Sequence, residues 1–287
     1  VSTFVTRRIV KPVQAMKAAS QRIAGGRYDE RVQVTGEDEL SELGRSFNRM
    51  AHELARTEER RRQLIGDVAH ELQTPLTTLT TSIELALLQG RYPPDIADLL
   101  GSNLEELRRL TGIIRDMLFL SHADSGKRAQ GQWVPSLAAV AQLVLEYHEA
   151  ALADAQLSVD VRGDAAGYYD DGLIKRALSN LLGNATRFAD KGSTIVVAVA
   201  TIGDWVELSV ANRGSTIEPA DLPRLFDRFY RADAARSQGH HHHHHHGLGL
   251  SIVAAIARMH GGGVFANSAL GETRIGIRLP QRSEGAG

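Results

Sequence analysis

The chain contains no cysteine in its 287 residues, which excludes disulfides, thiolate zinc sites and cysteine nucleophiles. It also lacks a run of about 18 apolar residues, so no segment is expected to span a bilayer, and it shows no signal peptide. Neither sign of charge is in excess, because the formal net charge is -1, and nucleic-acid binding is therefore not expected. A composition of 43% hydrophobic and 23% charged residues is typical of a folded, water-soluble protein.

The first residues read VSTFVTRRIVKPV, an apolar stretch followed by Arg7, Arg8 and Lys11. Basic residues collect on the cytoplasmic side of membrane helices, so one interpretation is the end of a membrane helix whose remainder has been removed. The other is a ragged chain end. The first interpretation places this portion of the chain on the cytoplasmic side of a membrane.

Two helices joined by an extended connector are predicted next. Val13 and Ile23 give the first helix an apolar face after Pro12, and the glycines at 25–26 are expected to end it before the connector YDERVQVTGEDEL. The early proline and the GEDEL opening of the second helix resemble a HAMP linker over about residues 7–57.

The second helix carries a heptad seam. Apolar residues recur at spacings of three and four from Leu40 to Leu54, and the phase returns at Leu64 and Val68. Thr57 and Arg61 interrupt the seam, so pairing is expected to be weakest there.

Residues 64–120 read as two long amphipathic helices, because the adjacent prolines in GRYPPD at 90–95 cannot continue a helix. An isolated hairpin cannot bury both apolar faces. A dimeric four-helix bundle is therefore predicted.

The remainder has a mixed pattern that predicts an α/β sandwich. Helices are expected near 136–155, 170–190 and 248–260, and a strand near 157–162. A hairpin that turns near 203–204 is predicted from alternating apolar residues, which are Ile195, Val197, Val199, Val206, Leu208 and Val210.

The stretch DVAHELQTPL places His70 and Glu71 on a helix. An exposed imidazole can attack phosphorus while the acidic neighbour assists as a base, and Pro75 should bend the helix just after the histidine. These residues closely resemble the H box of histidine kinases. The resemblance implies that His70 accepts phosphate, that Glu71 acts as base and that Thr74 supports dephosphorylation of the partner. Gln73 stands where many members carry arginine.

The stretch RALSNLLGNATRFA places Asn180 and Asn184 one helical turn apart, with Arg187 on nearly the same face. Two amide oxygens and a cation are thus able to converge on a Mg-triphosphate. The stretch resembles the N box, which implies that Asn184, with help from Asn180, is the Mg²⁺ ligand.

Four further segments follow in the order of the same family. ELSVANRGSTIEP stands in place of the first glycine box, with Asn212 replacing the usual aspartate and Gly214 kept. An amide oxygen is still able to accept the adenine amino hydrogen. PRLFDRFYRAD resembles the F box, in which Phe226 and Phe229 would anchor a lid and Arg228 would reach phosphate.

GLGLSIV then resembles the second glycine box, in which Gly247, Leu248 and Gly249 open a helix whose free N–H groups favour phosphate. GETRIGIRLP, which contains Thr273, closes the series. The motif sequences H-E-L-x-T-P-L-T and F-D-R-F-Y-R are similar to those of the heavy-metal-sensing branch of the family, which implies signalling of a copper type.

An uninterrupted heptahistidine, His240 to His246, occupies the expected lid. Three explanations stay open: an engineered replacement, natural low complexity, or a metal site.

The resemblance implies a multidomain homodimer with an all-α HAMP and dimerisation hairpin followed by an α/β sandwich ATPase domain. The expected domains are 1–57 (end of a membrane helix and HAMP linker), 58–125 (dimerisation and phosphotransfer) and 130–282 (ATP binding). The implied activity is ATP-dependent autophosphorylation of His70 with transfer to an aspartate of a response regulator, using ATP and Mg²⁺.

Two rivals remain at this point. An ATP hydrolase of the same sandwich class needs a carboxylate base where Asn180 stands. A scaffold without ATP chemistry would explain the altered glycine box.

Overall fold

The computed structural model describes residues 9–24, 28, 30–124, 126–231 and 247–281. The heptahistidine His240 to His246, Arg7, Arg8 and the glycines at 25–26 lie outside these ranges, so the predictions made for them stay predictions. The chain divides into two compact units, Val1–Val68 and Ala69–Gly287. In the described part of the chain, no helix combines the length and the apolar character that a membrane crossing requires.

The first unit contains helix α1 (Lys11–Ala24), an extended connector and the beginning of helix α2 (Glu39–Leu88). The connector lies on α2 because the Asn48 side chain pairs with both backbone groups of Val32, each at 2.9 Å. A Cβ on Gly44 would lie 2.8 Å from the side chain of Val34, so the glycine permits this close approach. The predicted helix–connector–helix is confirmed.

In the second unit, the rest of α2 and helix α3 (Pro94–Asp124) form the predicted hairpin, and the break falls in the proline-containing segment. An ion pair of 2.7 Å between Glu84 and Arg108 joins the two helices. Helix α2 continues through Pro75, whose missing N–H leaves one carbonyl without its helical partner. The bend expected there stays a prediction.

The α/β sandwich consists of β1 (Gln132–Val134), α4 (Leu137–Asp154), β2 (Ser158–Arg162), β3 (Gly167–Tyr169), α5 (Asp171–Phe188), β4 (Thr194–Ile202), β5 (Trp205–Arg213), α6 (Gly249–Met259), β6 (Gly263–Ala269) and β7 (Glu272–Pro280). Five of these strands form one sheet in the order β2-β4-β5-β7-β6, in which β2 and β4 are parallel and the other neighbours are antiparallel. Strands β1 and β3 form a separate small sheet.

Helices α4, α5 and α6 cover one face of the large sheet, and the core lies between the two layers. The six residues that predicted the β4–β5 hairpin are all buried, namely Ile195, Val197, Val199, Val206, Leu208 and Val210. The period-two pattern therefore identified the inner face correctly. The alternation also turns Asn212, two residues beyond Val210, toward the helices.

Candidate functional site

The candidate acceptor, His70, lies on the exposed surface of α2, and Glu71 and Thr74 are exposed beside it. A shallow groove runs along this face and is lined mainly by hydroxyl side chains, with His70, Gln73, Thr74, Thr77, Thr78, Thr81 and Ser82 at its surface. Exposure makes the imidazole accessible to a nucleotide carried by another domain. Within the described residues, no hydrogen bond joins the His70 and Glu71 side chains, so the base role of Glu71 stays a prediction.

The candidate nucleotide site is built where the N-box helix meets the second glycine box. The Asn180 side chain donates a hydrogen bond to the Arg176 carbonyl at 2.8 Å, which fixes its orientation on α5. Its amide oxygen lies 2.9 Å from the position of a Cβ on Gly249. The two predicted segments are therefore in contact, and a glycine is needed at the start of α6 for this approach.

Asn184 lies one turn after Asn180 on α5 and is half-buried, whereas Arg187 is exposed, with its guanidinium 4.9 Å from the centroid of the Phe188 ring. The two asparagines offer amide oxygens, which are the hard donors that Mg²⁺ prefers. The donor chemistry of α5 thus fits a magnesium–nucleotide complex.

The first glycine box lies at one end of the sheet. Asn212 is 5% exposed on β5 and stands opposite Thr273 on β7, which is 6% exposed. The Thr273 hydroxyl exchanges a hydrogen bond of 2.8 Å with Ser268, whose oxygen accepts from the Ile217 amide at 2.9 Å. These contacts hold the loop after β5 against strands β6 and β7, and they keep a polar pair buried beside the helices.

Gly247 and Leu248 complete the second glycine box. Gly247 has a left-handed φ of 71°, and a Cβ there would lie 2.8 Å from the backbone of Phe229. The Phe229 amide donates to the Gly247 carbonyl at 2.9 Å, so the F box is tied directly to the start of α6. Leu248 is 2% exposed and anchors this junction in the core.

Within the F box, Phe226 packs partly against the core, as expected for an anchor, while Phe229 is 56% exposed. Tyr230 donates a hydrogen bond of 2.5 Å to Asp221. That hydrogen bond is the main reason why the pKa of the Tyr230 phenol is raised.

In the ranges that the structure describes, Arg228 forms no hydrogen bond with Asn180 or Asn184. Its guanidinium instead forms an ion pair with Asp124, the last residue of helix α3. The phosphate role expected for Arg228 stays a prediction. Sequence reasoning also missed Asp124 itself, because an acidic residue at a helix end looks the same whether it is solvated or paired.

Three family models match the chain. The HAMP domain matches residues 4–56, the His Kinase A (phospho-acceptor) domain matches 60–126, and the histidine kinase-, DNA gyrase B- and HSP90-like ATPase matches 169–283. His70 and Thr74 lie within the second range, and the asparagine and glycine residues of the candidate site lie within the third.

Several curated proteins are similar to the chain over most of its length. Sensor histidine kinase CusS of Escherichia coli (strain K12) is 38% identical over 271 residues, which are 94% of this chain and 56% of that protein. Sensor protein CopS of Pseudomonas syringae pv. tomato is 37% identical over 82% of this chain and 49% of its own length. Sensor protein CzcS of Cupriavidus metallidurans is 33% identical over 98% and 59%. The chain spans about half the length of the curated relatives it matches.

Solved structures with the same fold include full-length ShkA in complex with AMPPNP, with a TM-score of 0.66 at 20% identity over 78% of this chain and 47% of that chain. The Acinetobacter baumannii histidine kinase AdeS gives a TM-score of 0.54 at 22% identity, over 75% and 98%. At these identities the likeness concerns the fold, a helical hairpin followed by an α/β sandwich.

Proposed function

Because this chain belongs to the two-component sensor histidine kinases, we propose that it uses ATP to phosphorylate His70 and passes the phosphoryl group to an aspartate of a separate response regulator. One observation carries the proposal. The same chain presents an exposed histidine on a helical hairpin and, on its sandwich, an amide and glycine cluster suited to a nucleotide. An acceptor and a donor site are therefore both present.

The residues of the sandwich fit ATP and Mg²⁺. The Asn180 side-chain oxygen is oriented because the nitrogen of the same amide donates a hydrogen bond to the Arg176 carbonyl. Asn184 adds a second amide oxygen on the same face. Asn212 is buried at the end of β5, where its amide is suited to pair with the adenine amino group. When bound, ATP supplies the phosphoryl group and Mg²⁺ offsets the charge of the phosphates.

The chemistry at His70 needs an unprotonated ring nitrogen directed at the γ-phosphorus. A phosphorus–nitrogen bond forms as the bond to the bridging oxygen breaks, and ADP leaves with the electron pair. Glu71 takes or shares the proton of the other ring nitrogen, which makes the imidazole a better nucleophile. The subsequent acceptor is an aspartate of the regulator, and Thr74 positions water for its later dephosphorylation.

A second copy of the chain would complete a four-helix bundle with the hairpin. In the second unit the two hairpin helices carry exposed apolar residues, namely Leu72, Leu79, Leu85, Ile96 and Leu99. An apolar stripe of this kind is costly in water, and two hairpins that pack together bury it in a four-helix bundle. We therefore propose a homodimer.

We further propose that the complete protein reports on heavy metals from a bacterial inner membrane, with this portion in the cytoplasm. This proposal is supported by the H-box and F-box sequences, which resemble those of the heavy-metal-sensing branch. Reconstituting the complete protein in vesicles and measuring autophosphorylation with copper, zinc and nickel tests the assignment, and a response to none of them contradicts it.

The kinase proposal is tested with γ-labelled ATP. The parent chain should acquire label in an acid-labile, base-stable bond, and His70→Gln should remove it while ATP binding persists, because acceptor and nucleotide site lie on different elements. His52→Gln, which changes another exposed histidine on α2, is the matched control and should keep the label. Label retained by His70→Gln would overturn the assignment.

A further inference from the structure

Ion pairs join the end of helix α3 to the sandwich. The guanidinium of Arg228 donates to the Asp124 carboxylate, and Arg258 of α6 approaches the same carboxylate at 3.7 Å. Earlier on α3, Asp116 accepts a hydrogen bond of 2.6 Å from Arg176 of α5. Two acidic residues of α3 thus form ion pairs with three arginines of the sandwich. We name these five residues the α3 docking surface.

Apolar contacts accompany the ion pairs. The Arg176 guanidinium lies 4.0 Å from the centroid of the Phe119 ring, and Leu120 is 1% exposed within the sandwich core. The connection after α3 is tied down as well, since the Ala129 amide donates to the Met259 carbonyl at 2.9 Å. Docking therefore does not depend on Asp124 alone. The contribution specific to Asp124 is the position it imposes on Arg228.

The Arg228 side chain contacts Asp124 through Nη2, and this contact keeps it extended toward the end of helix α3. A guanidinium presents planar donors that suit a carboxylate and a phosphate equally well, so a phosphate bound elsewhere on the sandwich competes with Asp124 for the position of Arg228. The Arg228 and Asp124 side chains are 35% and 22% exposed, so the pair is partly shielded from water and salt. The triphosphate of ATP carries more charge than one carboxylate and is the stronger competitor at close range.

We propose that Asp124 is a positioning residue that holds Arg228 on helix α3, away from the nucleotide, until the triphosphate of ATP displaces it. This inference rests on the proposed kinase function. Loading of ATP then weakens the α3 docking surface, and the sandwich gains the freedom to carry the nucleotide toward His70. The same ion pair restrains the kinase when no nucleotide is bound.

Asp124→Asn tests the restraint through activity. The substitution removes the charge but leaves the Asp116–Arg176 pair and the Leu120 contact in place, so the fold should persist. The autophosphorylation rate should rise about threefold to tenfold and the KM for ATP should fall, because a partly exposed ion pair contributes no more than that. Asp124→Glu should behave like the parent. Asp98→Asn removes the same charge from an exposed position of α3 and should also leave the rate unchanged.

A distance measurement tests the same inference without catalysis. Because the chain has no cysteine, spin labels can be placed cleanly at Glu105→Cys on α3 and Asp204→Cys in the β4–β5 turn, both exposed. Mixing with excess unlabelled chain confines the labels to one subunit of a dimer. The interspin distance distribution should be narrow in the parent and broader with Asp124→Asn. A non-hydrolysable ATP analogue with Mg²⁺ should broaden the parent distribution in the same way.

An Asp124→Asn distribution identical to that of the parent overturns the inference, as does an unchanged autophosphorylation rate in a chain that labels normally. If even the parent fails to acquire label on His70, the kinase proposal fails. The interspin distances of the parent and of Asp124→Asn then still decide whether Asp124 restrains the sandwich.

Discussion

The carbonyl oxygen of Phe188 lies 2.1 Å from the position that a Cβ atom on Gly214 would occupy. Phe188 ends the N-box helix α5, and Gly214 follows strand β5, so the two segments meet with no room for a side chain. The Gly214 amide also donates to the Gly271 carbonyl at 2.9 Å, which brings the β6–β7 turn to the same place. Three segments around the proposed nucleotide site thus depend on one glycine.

Gly214→Ala should therefore lower the free energy of unfolding by about 2–3 kcal/mol, because the clash involves backbone that cannot move alone. ATP affinity should fall with it as Asn212 shifts. Gly263→Ala is the control, since a Cβ at Gly263 meets nothing within 4 Å. Urea unfolding and titration with a fluorescent ATP analogue measure both effects. Equal unfolding midpoints for the two variants would contradict the prediction.

The need for Gly214 illustrates what the sequence is able to predict. The alternating residues of β4 and β5 define the hairpin and its inner face, because the period of two reports burial locally. The glycine itself is visible as part of a motif. The steric reason for the glycine cannot be seen in the sequence, because Phe188 reaches Gly214 only through the packing of α5 on the sheet.

The placement of Arg228 shows where prediction from the sequence fails. The F-box pattern identifies the arginine, and the Asp124 that pairs with it lies 104 residues earlier in the chain. No periodicity connects the two, because both lie in segments whose charged residues are ordinarily solvated. Only the docking of α3 on the sandwich brings them together. The exposed position of His70, in contrast, follows from its helix and its motif.

Asn184→Ala should weaken Mg²⁺-dependent binding of ATP on the order of 10- to 100-fold, since it removes a proposed metal ligand rather than a core side chain. Autophosphorylation should fall in parallel while the dimer remains folded. Calorimetric titration with ATP in the presence of Mg²⁺ or of a chelator measures the effect. Asn103→Ala, an exposed amide on α3, should bind ATP like the parent. Unchanged autophosphorylation in Asn184→Ala would count against the proposed N-box role.

Thr74→Ala should preserve autophosphorylation but slow the removal of phosphate from the regulator, because the hydroxyl lies one turn from His70 where it is able to position water. Thr77→Ala is a matched control, since the Thr77 hydroxyl instead donates to the Gln73 carbonyl at 2.8 Å. The decay of labelled regulator mixed with each variant provides the measurement. Equal decay rates with Thr74→Ala and the parent would refute the role.

His148 and Ser179 connect helices α4 and α5 through a hydrogen bond of 2.8 Å, immediately before Asn180. Burial lowers the pKa of the His148 imidazole below its ordinary value of 6.5, because the charged form loses hydration in the folded protein. The unfolded chain therefore takes up this proton first as the pH falls. The contribution of His148 to stability is complete above pH 6.5 and decreases below it.

The thermal unfolding midpoint of the sandwich should accordingly decrease as the pH is lowered from about 7.5 to about 5.5. His148→Gln should make that decrease shallower, because glutamine does not titrate and keeps a donor for the Ser179 hydroxyl. Ser179→Ala separates the two contributions. It removes the hydrogen bond but leaves the imidazole buried, so the midpoint should drop at every pH while the slope stays that of the parent. Thermal unfolding followed by circular dichroism across this range gives both quantities. A slope in His148→Gln equal to that of the parent would show that the acid sensitivity arises from other groups.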